Sequence, residues 1–360
     1  MHRLAFLLPE DPSSGAGQRA YALAKGLAGH GWQVAGGLIP RGFRVAQANG
    51  EAAALAFMQE ETQRLITQWT SWRPDVIHVE VPGPEAMPWR WAAGHLNLPL
   101  TSAWHWLDRF VASEKREQVR AHNLEFLNSC RRVHVRTPAQ IALLSEIPPA
   151  RIDVVPNGVD TERFNPSQRD LQRRHAWGAS PEDVVCLHVG RLIPEKGLDL
   201  LAKTWNHLQH VTPTTRCIVV GEGDGQAALA TACPRAQFLG KRQGDELARI
   251  YASADVFLFP SRSDSWGLVL TEAMASGLAC VAFPSGAAEH LLSDNTNGCL
   301  AATDEEFINA TTALVRNRSR ITRLGSAARH TALRHDWNLA AGAMSESLHH
   351  ACQLPFNKNW

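Results

Sequence analysis

The sequence predicts an α/β protein with two domains, each built around a parallel sheet. Its 360 residues exceed the length at which a single hydrophobic core keeps growing. Short apolar runs typical of buried strands alternate with helical segments along the chain. Apolar residues make up 44% and charged residues 20% of the sequence, so there is ample material for two cores.

The first half opens with a strand, a helix and a second strand. Residues 3–39 contain an apolar run, a loop rich in Pro, Ser and Gly, an amphipathic segment, a glycine turn and another apolar run. Further strands are predicted in "PDVIHVEVPG" (74–83) and "LPLTSAWHW" (98–106), each after a segment that can be helical. Strands alternating with helices in this way are typical of parallel sheets.

The alternation begins again after a polar, proline-containing stretch around residues 160–180. Strands are predicted at "VVCLHVGRL", "RCIVVGEG", "AQFLG", "DVFLFPS" and "ACVAFP", with helical segments between them. We therefore expect one domain over residues 1–165, a second over 166–336, and a final helix within 337–360 that packs back toward the first domain. Ligands of such proteins are expected in a cleft beyond the carboxyl ends of the strands.

Charge and cysteine content exclude several classes of function. The formal net charge is +1, so no overall field favours a nucleic acid partner. Seven cysteines without a C-x-x-C pair predict neither a disulfide framework nor a zinc site. The N-terminal apolar run is too short for a signal peptide or a membrane span, so we expect a cytoplasmic protein, either free or peripheral at the inner face of a membrane.

One stretch carries a local excess of positive charge. Seven Lys or Arg residues fall between His105 and Gln140, against four acids. This pattern is typical of a solvated helix face, but it also fits a surface that meets anionic lipid or a phosphorylated acceptor.

The segment "SRSDSWGLVLTEAMASG" (261–277) places two acids around a predicted helix start. A helix beginning near Gly267 would present unpaired amides that suit a pyrophosphate. Glu272 would then lie roughly 7 to 8 Å along the helix axis, and Asp264 on the other side of the phosphates. A ligand with hydroxyls on both flanks of a pyrophosphate fits, and a nucleotide sugar is such a ligand.

At these residues the chain resembles family 4 glycosyltransferases, which are retaining enzymes with the GT-B fold of two Rossmann-like domains facing each other across a cleft. "DSWGLVLTE" resembles the family's acid-x7-acid signature. The resemblance covers nearly the whole chain and includes "PSSGAGQ", "TSAWHWLDRF", "VPNGVDTERFNP", "HVGRLIPEKGLDLL", "VVGEGDG" and "GAAEHLL" in order. Two departures are visible: Asp264 replaces the usual glutamate, and Trp266 the usual phenylalanine.

The resemblance implies a set of site residues. Arg191 and Lys196 are expected to bind the diphosphate and stabilise the leaving nucleotide, and His105 to hydrogen-bond the donor sugar near the reacting centre. No D-x-D motif is present, so we expect transfer without a metal ion or any other cofactor. Donor contacts are expected from Gly15, Gly17, Gly190, Gly221, Gly223, Asp264, Ser265, Trp266, Gly267, Leu268 and Glu272, and an acceptor-side role from Glu80.

The predicted function is front-face transfer of a hexose from a nucleoside diphosphate sugar to a hydroxyl acceptor, which could be a lipid, a glycan or a small molecule. Residues 80–110 resemble the branch that glycosylates diacylglycerol-type and phosphatidylinositol-like lipids. Two alternatives stay open: a GT-B type nucleotide-sugar epimerase, and a non-catalytic module that binds nucleotide sugars.

Overall fold

A computed structural model describes residues 1–12, 14–38, 42–105, 113–262 and 267–354. The chain divides into two compact units, the first formed by residues 1–157 and 337–360 and the second by residues 158–336. The first boundary therefore follows residue 157 instead of the predicted residue 165. The reason is packing, because Val159 and Phe164 are buried in the core of the second unit.

The first unit contains a six-stranded parallel sheet in the order β2-β1-β3-β4-β5-β6. Its strands are β1 (His2–Leu8), β2 (Trp32–Leu38), β3 (Val76–Val79), β4 (Leu100–Ala103), β5 (Arg132–Val135) and β6 (Ile152–Val154). Its helices are α1 (Gly15–Gly29), α2 (Gly42–Ala48), α3 (Glu51–Trp72), α4 (Met87–His95), α5 (Ser113–Ser129) and α14 (Trp337–Gln353).

The terminal helix α14 completes this unit. Its buried residues, including Met344 and Leu348, join Leu4 and Phe6 of β1 and Leu23 of α1 in one core. The last helix of the sequence is thus an outer layer of the first sheet, although the chain reaches it only after passing through the second unit.

The second unit contains another six-stranded parallel sheet, in the order β12-β11-β10-β7-β8-β9. Its strands are β7 (Val185–Val189), β8 (Arg216–Val220), β9 (Gln237–Phe238), β10 (Val256–Phe259), β11 (Ala279–Ala282) and β12 (Cys299–Leu300). Its helices are α6 (Leu171–Ala176), α7 (Leu198–Val211), α8 (Gln226–Ala232), α9 (Gly244–Ser253), α10 (Leu268–Ala275), α11 (Ala287–Leu291), α12 (Asp304–Val315) and α13 (Arg318–Ala332).

The apolar runs form strands because both faces of each sheet are covered. Along β7, Val185 and Leu187 enter one core cluster, whereas Cys186 between them enters the other. A strand buried on both faces needs a continuous apolar sequence. The strands were predicted from such continuous apolar runs. The prediction of two parallel α/β halves is confirmed.

Three short strands lay outside the prediction. β5 contains Arg132 and His134, β6 contains Asp153, and β12 has only two residues, so none presents a clear apolar run. Among the described helices, none is long and apolar enough to cross a membrane.

Candidate active site

Three loops of the second unit lie at the carboxyl edge of its sheet. Strands β10, β7 and β8 are parallel neighbours, so the loops that follow them share one edge. The structure thereby brings together most of the predicted donor-binding residues of this unit, namely Gly190, Arg191 and Lys196 after β7, Gly221 and Gly223 after β8, and Gly267, Leu268 and Glu272 after β10.

The loops after β7 and β8 are in direct backbone contact. Gly221 has φ +136, and a Cβ placed there would lie 1.8 Å from the carbonyl oxygen of Gly190. The amide of Leu192 donates to the carbonyl of Glu222 at 2.9 Å, and the amide of Gly225 donates to the carbonyl of Leu192 at 2.8 Å. Only glycine fits position 221, and the two loops form one fixed surface.

Helix α10 begins directly after Gly267, as the sequence predicts. The carbonyl of Gly267 accepts from the amide of Leu270 at 2.8 Å, which closes the first turn. The amides at the start of a helix carry partial positive charge, so this turn suits an anion.

Glu272 is the fifth residue of α10 and only 8% of it is exposed. The hydroxyl of Tyr251, in α9, donates to Oε2 of Glu272 at 3.0 Å. Within the described part of the chain, Oε1 of Glu272 accepts no hydrogen bond. Burial raises the pKa of this carboxyl group to about 7, although the Tyr251 hydrogen bond and the charge of Arg163 oppose the rise.

The two predicted cations follow β7. Arg191 is exposed, and Lys196 is half-buried at the end of a single 3-10 turn. Lys196 is close enough to the imidazole of His188, in β7, to contribute to its low pKa of about 4, which is caused mainly by burial.

The loop after β1 folds tightly onto α1 in the first unit. Gly15 is the first residue of α1, and Oγ of Ser14 accepts from the amide of Gly17 at 3.0 Å. A Cβ at Gly17 would lie 2.0 Å from the carbonyl oxygen of Asp11, so this position requires glycine. The structure provides a steric reason for Gly17 that is independent of any ligand.

Glu80 lies at the centre of a buried polar network, not at an acceptor surface. It is 0% exposed, and Nη1 of Arg19 lies 2.7 and 2.8 Å from its two carboxylate oxygens. His105 and His78 lie against the same carboxylate, at 2.8 and 3.3 Å. These contacts use the hydrogen-bonding capacity of the Glu80 carboxylate inside the unit, and the acceptor-side role expected for Glu80 stays a prediction.

His105 follows β4 and belongs to this network. Its Nε2 lies 2.8 Å from Oε1 of Glu80, and Nη2 of Arg136 lies 2.5 Å from its Nδ1. The tautomer with the proton on Nε2 satisfies both contacts. Burial and the charge of Arg136 lower the pKa of His105 to about 4, so the ring is neutral at pH 7.

The role expected for His105 at the donor sugar stays a prediction, and the geometry shows which of its ring atoms are already engaged. Both ring nitrogens have partners within the protein, so neither is available to hydrogen-bond a donor sugar in this arrangement.

Several described cations of the basic stretch between His105 and Gln140 are paired within the first unit. Arg120 pairs with Glu146 at 2.7 Å, and Arg131 donates to the carbonyls of Ala351 and Leu354. Arg132 pairs with Asp153, and Arg136 is buried. Most of the described cations of this stretch are thus used within the first unit.

Three predicted contacts, Asp264, Ser265 and Trp266, lie outside the described residues. The predicted sugar-side acid therefore stays a prediction. Over the described ranges, no three His, Cys, Asp or Glu side chains converge as metal ligands.

Sequence reasoning missed three residues that shape these sites. Arg19 and Arg136 surround Glu80 and His105, and Tyr251 holds Glu272. No clear signal pointed to Arg136, because the strand before it, β5, alternates polar and apolar residues and presents no apolar run. No signal pairs Tyr251 with Glu272, because the two lie 21 residues apart on different helices.

Comparisons with known families account for both units. Residues 13–163 match the family described as "Glycosyltransferase Family 4", and residues 183–317 match the one described as "Glycosyl transferases group 1".

Two curated relatives resemble most of the chain. A sulfoquinovosyl transferase from Arabidopsis thaliana is 29% identical over 299 residues, which are 77% of this chain and 57% of the plant protein. A GDP-mannose-dependent alpha-mannosyltransferase from Mycobacterium tuberculosis is 30% identical over 286 residues, 77% of this chain and 73% of that protein. The chain thus spans little more than half of the first relative.

Solved structures share the fold across nearly the whole chain. A glycosyltransferase from Rickettsia africae aligns with a TM-score of 0.79 at 14% identity, covering 98% of this chain and 99% of that one. The Anabaena protein HepE, in complex with UDP and glucose, aligns with a TM-score of 0.76 at 20% identity over 97% and 100%. These similarities show the GT-B fold and carry no argument about substrates.

Proposed function

Because this chain belongs to glycosyltransferase family 4, we propose that it transfers a hexose from a nucleoside diphosphate sugar to a hydroxyl acceptor, with retention of anomeric configuration. The observation that carries the proposal is Glu272. Its buried carboxyl group lies in α10 behind Gly267, at the sheet edge where two glycine loops meet.

The donor would bind along this edge. Its pyrophosphate would lie at the start of α10, where main-chain amides supply donors. The ribose hydroxyls would donate to Glu272, whose Oε1 accepts no other hydrogen bond from the described residues. We assign the hexose side of the donor to Asp264, as the sequence predicts.

Arg191 and Lys196 would stabilise the leaving nucleotide. Negative charge develops on the phosphate as its bond to the sugar breaks. Nearby cations therefore stabilise the transition state more strongly than the bound donor that precedes it. These two side chains take the role that a divalent ion has in other transferases, so we propose transfer without a metal.

The reaction would proceed on one face of the sugar. The bond between the anomeric carbon and the phosphate oxygen breaks, the acceptor oxygen bonds to the same face, and a donor phosphate oxygen takes the acceptor proton. A neutral His105 and a saturated Glu80 support this assignment, because neither has a free atom to act as base or nucleophile.

We leave the acceptor at the level of a hydroxyl compound. A lipid acceptor is one of the predicted possibilities, based on residues 80–110 and on the basic stretch, in which Arg120, Arg131 and Arg132 are paired within the first unit. Fractionating a cell extract into lipids, glycans and small molecules, and testing each as acceptor, would assign the class.

A donor panel tests the proposal. The protein is incubated with UDP-, GDP-, ADP- and TDP-hexoses, with and without the acceptor fractions, and free nucleoside diphosphate is measured. Acceptor-dependent release and an unchanged anomeric configuration in the product, measured by NMR, are expected. Interconversion of donors without acceptor would indicate an epimerase, and binding without turnover would indicate a non-catalytic module.

Lys196→Ala isolates the leaving-group step. We expect the turnover rate to fall about 100- to 1000-fold, as when one well-placed electrostatic contact is removed from an active site. Lys203→Ala is the matched control, because Lys203 is an exposed lysine of α7 in the same unit. Equal rates for the two variants would contradict the role of Lys196.

A further inference from the structure

The carboxyl group of Glu272 has an unusual surrounding for a ligand-binding acid. It is buried, yet its hydrogen-bond partner in the described protein is a phenol and not a cation. Tyr251 is itself 0% exposed, and its hydroxyl lies 3.0 Å from Oε2 of Glu272 and 3.2 Å from the carbonyl oxygen of Val269.

Burial favours a neutral carboxyl in the empty site, and the arginines nearby are engaged with other groups. Arg163 contributes a favourable charge from the segment before α6, but it is also paired with Asp245 at 3.0 Å. In α13, Arg329 donates to the main-chain carbonyls of Phe164 and Ala275 at 2.7 Å.

The thiol of Cys280, in β11, stays uncharged because burial raises its pKa far above neutral pH. The Tyr251 hydroxyl also stays protonated, since burial and the charge of Glu272 raise its pKa well above the usual value. Tyr251 can therefore donate to the ionised carboxylate, and a donated hydrogen bond favours that form.

Resting on the proposed function, we propose that Tyr251 is the positioning residue for Glu272 and that binding of a nucleoside diphosphate releases a proton from this carboxyl group. Two ribose hydroxyls need an acceptor, and the ionised carboxylate accepts at both oxygens. The neutral form has one oxygen occupied by its own proton. The ligand therefore selects the ionised state, and the proton leaves to solvent.

The expected number of released protons follows from linkage. With a pKa of about 7 in the empty site and a fully ionised carboxylate in the complex, about 0.9 proton leaves at pH 6, about 0.5 at pH 7 and about 0.1 at pH 8. Nucleotide affinity then rises with pH and levels off above the pKa of the empty site.

Calorimetry measures this directly on the full chain. UDP, GDP, ADP and TDP are titrated into the protein at pH 6, 7 and 8, each in two buffers with different ionisation enthalpies, and the difference in heat gives the protons released. Glu272→Gln should remove the part of the release that comes from this carboxyl group, leaving only any proton lost by the terminal phosphate of the nucleotide, whose pKa is about 6. The variant should also bind more weakly, because its amide cannot become a carboxylate.

Tyr251→Phe keeps the ring, which packs near Phe164 and Phe257, and removes only the hydroxyl. For a loss of the hydroxyl that raises the pKa of Glu272 by about one unit, the affinity for the nucleotide falls about ninefold at pH 6 and about fivefold at pH 7. At pH 9 the affinity hardly changes. Tyr21→Phe is the matched control, since Tyr21 is the only other tyrosine and is 37% exposed on α1.

The outcomes separate this inference from the proposed function. If none of the four nucleotides binds, the proposed function fails. If a nucleotide binds without proton release, the coupling between binding and ionisation of Glu272 is overturned while the proposed function stands. The same holds if Tyr251→Phe lowers nucleotide affinity by the same factor at pH 6 and pH 9.

Discussion

Glu80 and Glu272 show how one residue type acquires opposite properties in two buried sites. Burial favours the neutral form of both. At Glu80 the charge of Arg19 and hydrogen bonds from His105 and His78 outweigh burial, and the pKa lies well below its usual value. At Glu272 a single phenol does not outweigh burial, and the pKa rises to about 7. The first is a fixed charge, and the second titrates near neutral pH.

Glu80→Gln should destabilise the first unit. Removing the carboxylate leaves Arg19 buried without its counter-charge, which typically costs about 3 to 5 kcal/mol. Because the folded-state pKa of Glu80 is depressed, its contribution is present above the unfolded value and is lost as the pH falls through the folded value. The free energies of unfolding of wild type and variant, measured with urea, should differ most at neutral pH. A difference that persists unchanged at strongly acidic pH would contradict this account.

Arg136→Met should raise the pKa of His105. The guanidinium of Arg136 is the largest contribution after burial to the pKa of about 4. Removing that charge while Glu80 remains favours the protonated ring. NMR titration of the His105 ring, assigned with His105→Gln, measures the midpoint. An unmoved midpoint would show that Arg136 does not control the ring.

At the scale of elements, the site is made by loops that follow neighbouring parallel strands. The glycine contacts between the β7 and β8 loops leave no space for a side chain, and α10 begins within the same edge. Rigid strand ends hold these loops, so a small number of backbone contacts fixes where a ligand could lie.

Gly221→Ala should disrupt this edge. The new Cβ would lie 1.8 Å from the carbonyl oxygen of Gly190, at a φ of +136 that other residues rarely adopt. We expect a loss of stability of about 1 to 3 kcal/mol or more from strain and a larger loss of nucleotide affinity. Gly29→Ala, at the end of α1 with no atom within 4 Å of the new Cβ, is the control. Equal behaviour of the two variants in thermal unfolding and calorimetry would refute the argument.

For the molecule as a whole, the proposed donor site belongs to the second unit. A bound nucleoside diphosphate should slow hydrogen exchange at residues 190–197, 221–225 and 267–272. Amides exchange from locally opened conformations, and the nucleotide binds only the folded conformation of these loops. Exchange measured by mass spectrometry on the full chain, with and without the nucleotide that binds in calorimetry, tests this. Protection confined to other segments would place the nucleotide elsewhere.

The sequence also predicted the organisation of the chain well where its pattern was strong. The continuous apolar runs of β7, β8 and β10 were recognisable because strands buried on both faces require them. The short strands β5 and β6 were missed because Arg132, His134 and Asp153 interrupt the pattern. The boundary between the two units follows residue 157 and not the predicted residue 165, because Val159 and Phe164 pack into the core of the second unit.

By itself the sequence determined the two α/β halves, the family, the loop positions of Arg191 and Lys196 and the helical position of Glu272. These features depend on local pattern and on order along the chain. Only the tertiary structure decided what surrounds each side chain. It joined Tyr251 to Glu272 across two helices, and it enclosed Glu80 and His105 with Arg19 and Arg136. The physical reason is that ionisation and hydrogen bonding depend on neighbours in space, and parallel sheets bring together residues that are far apart in sequence.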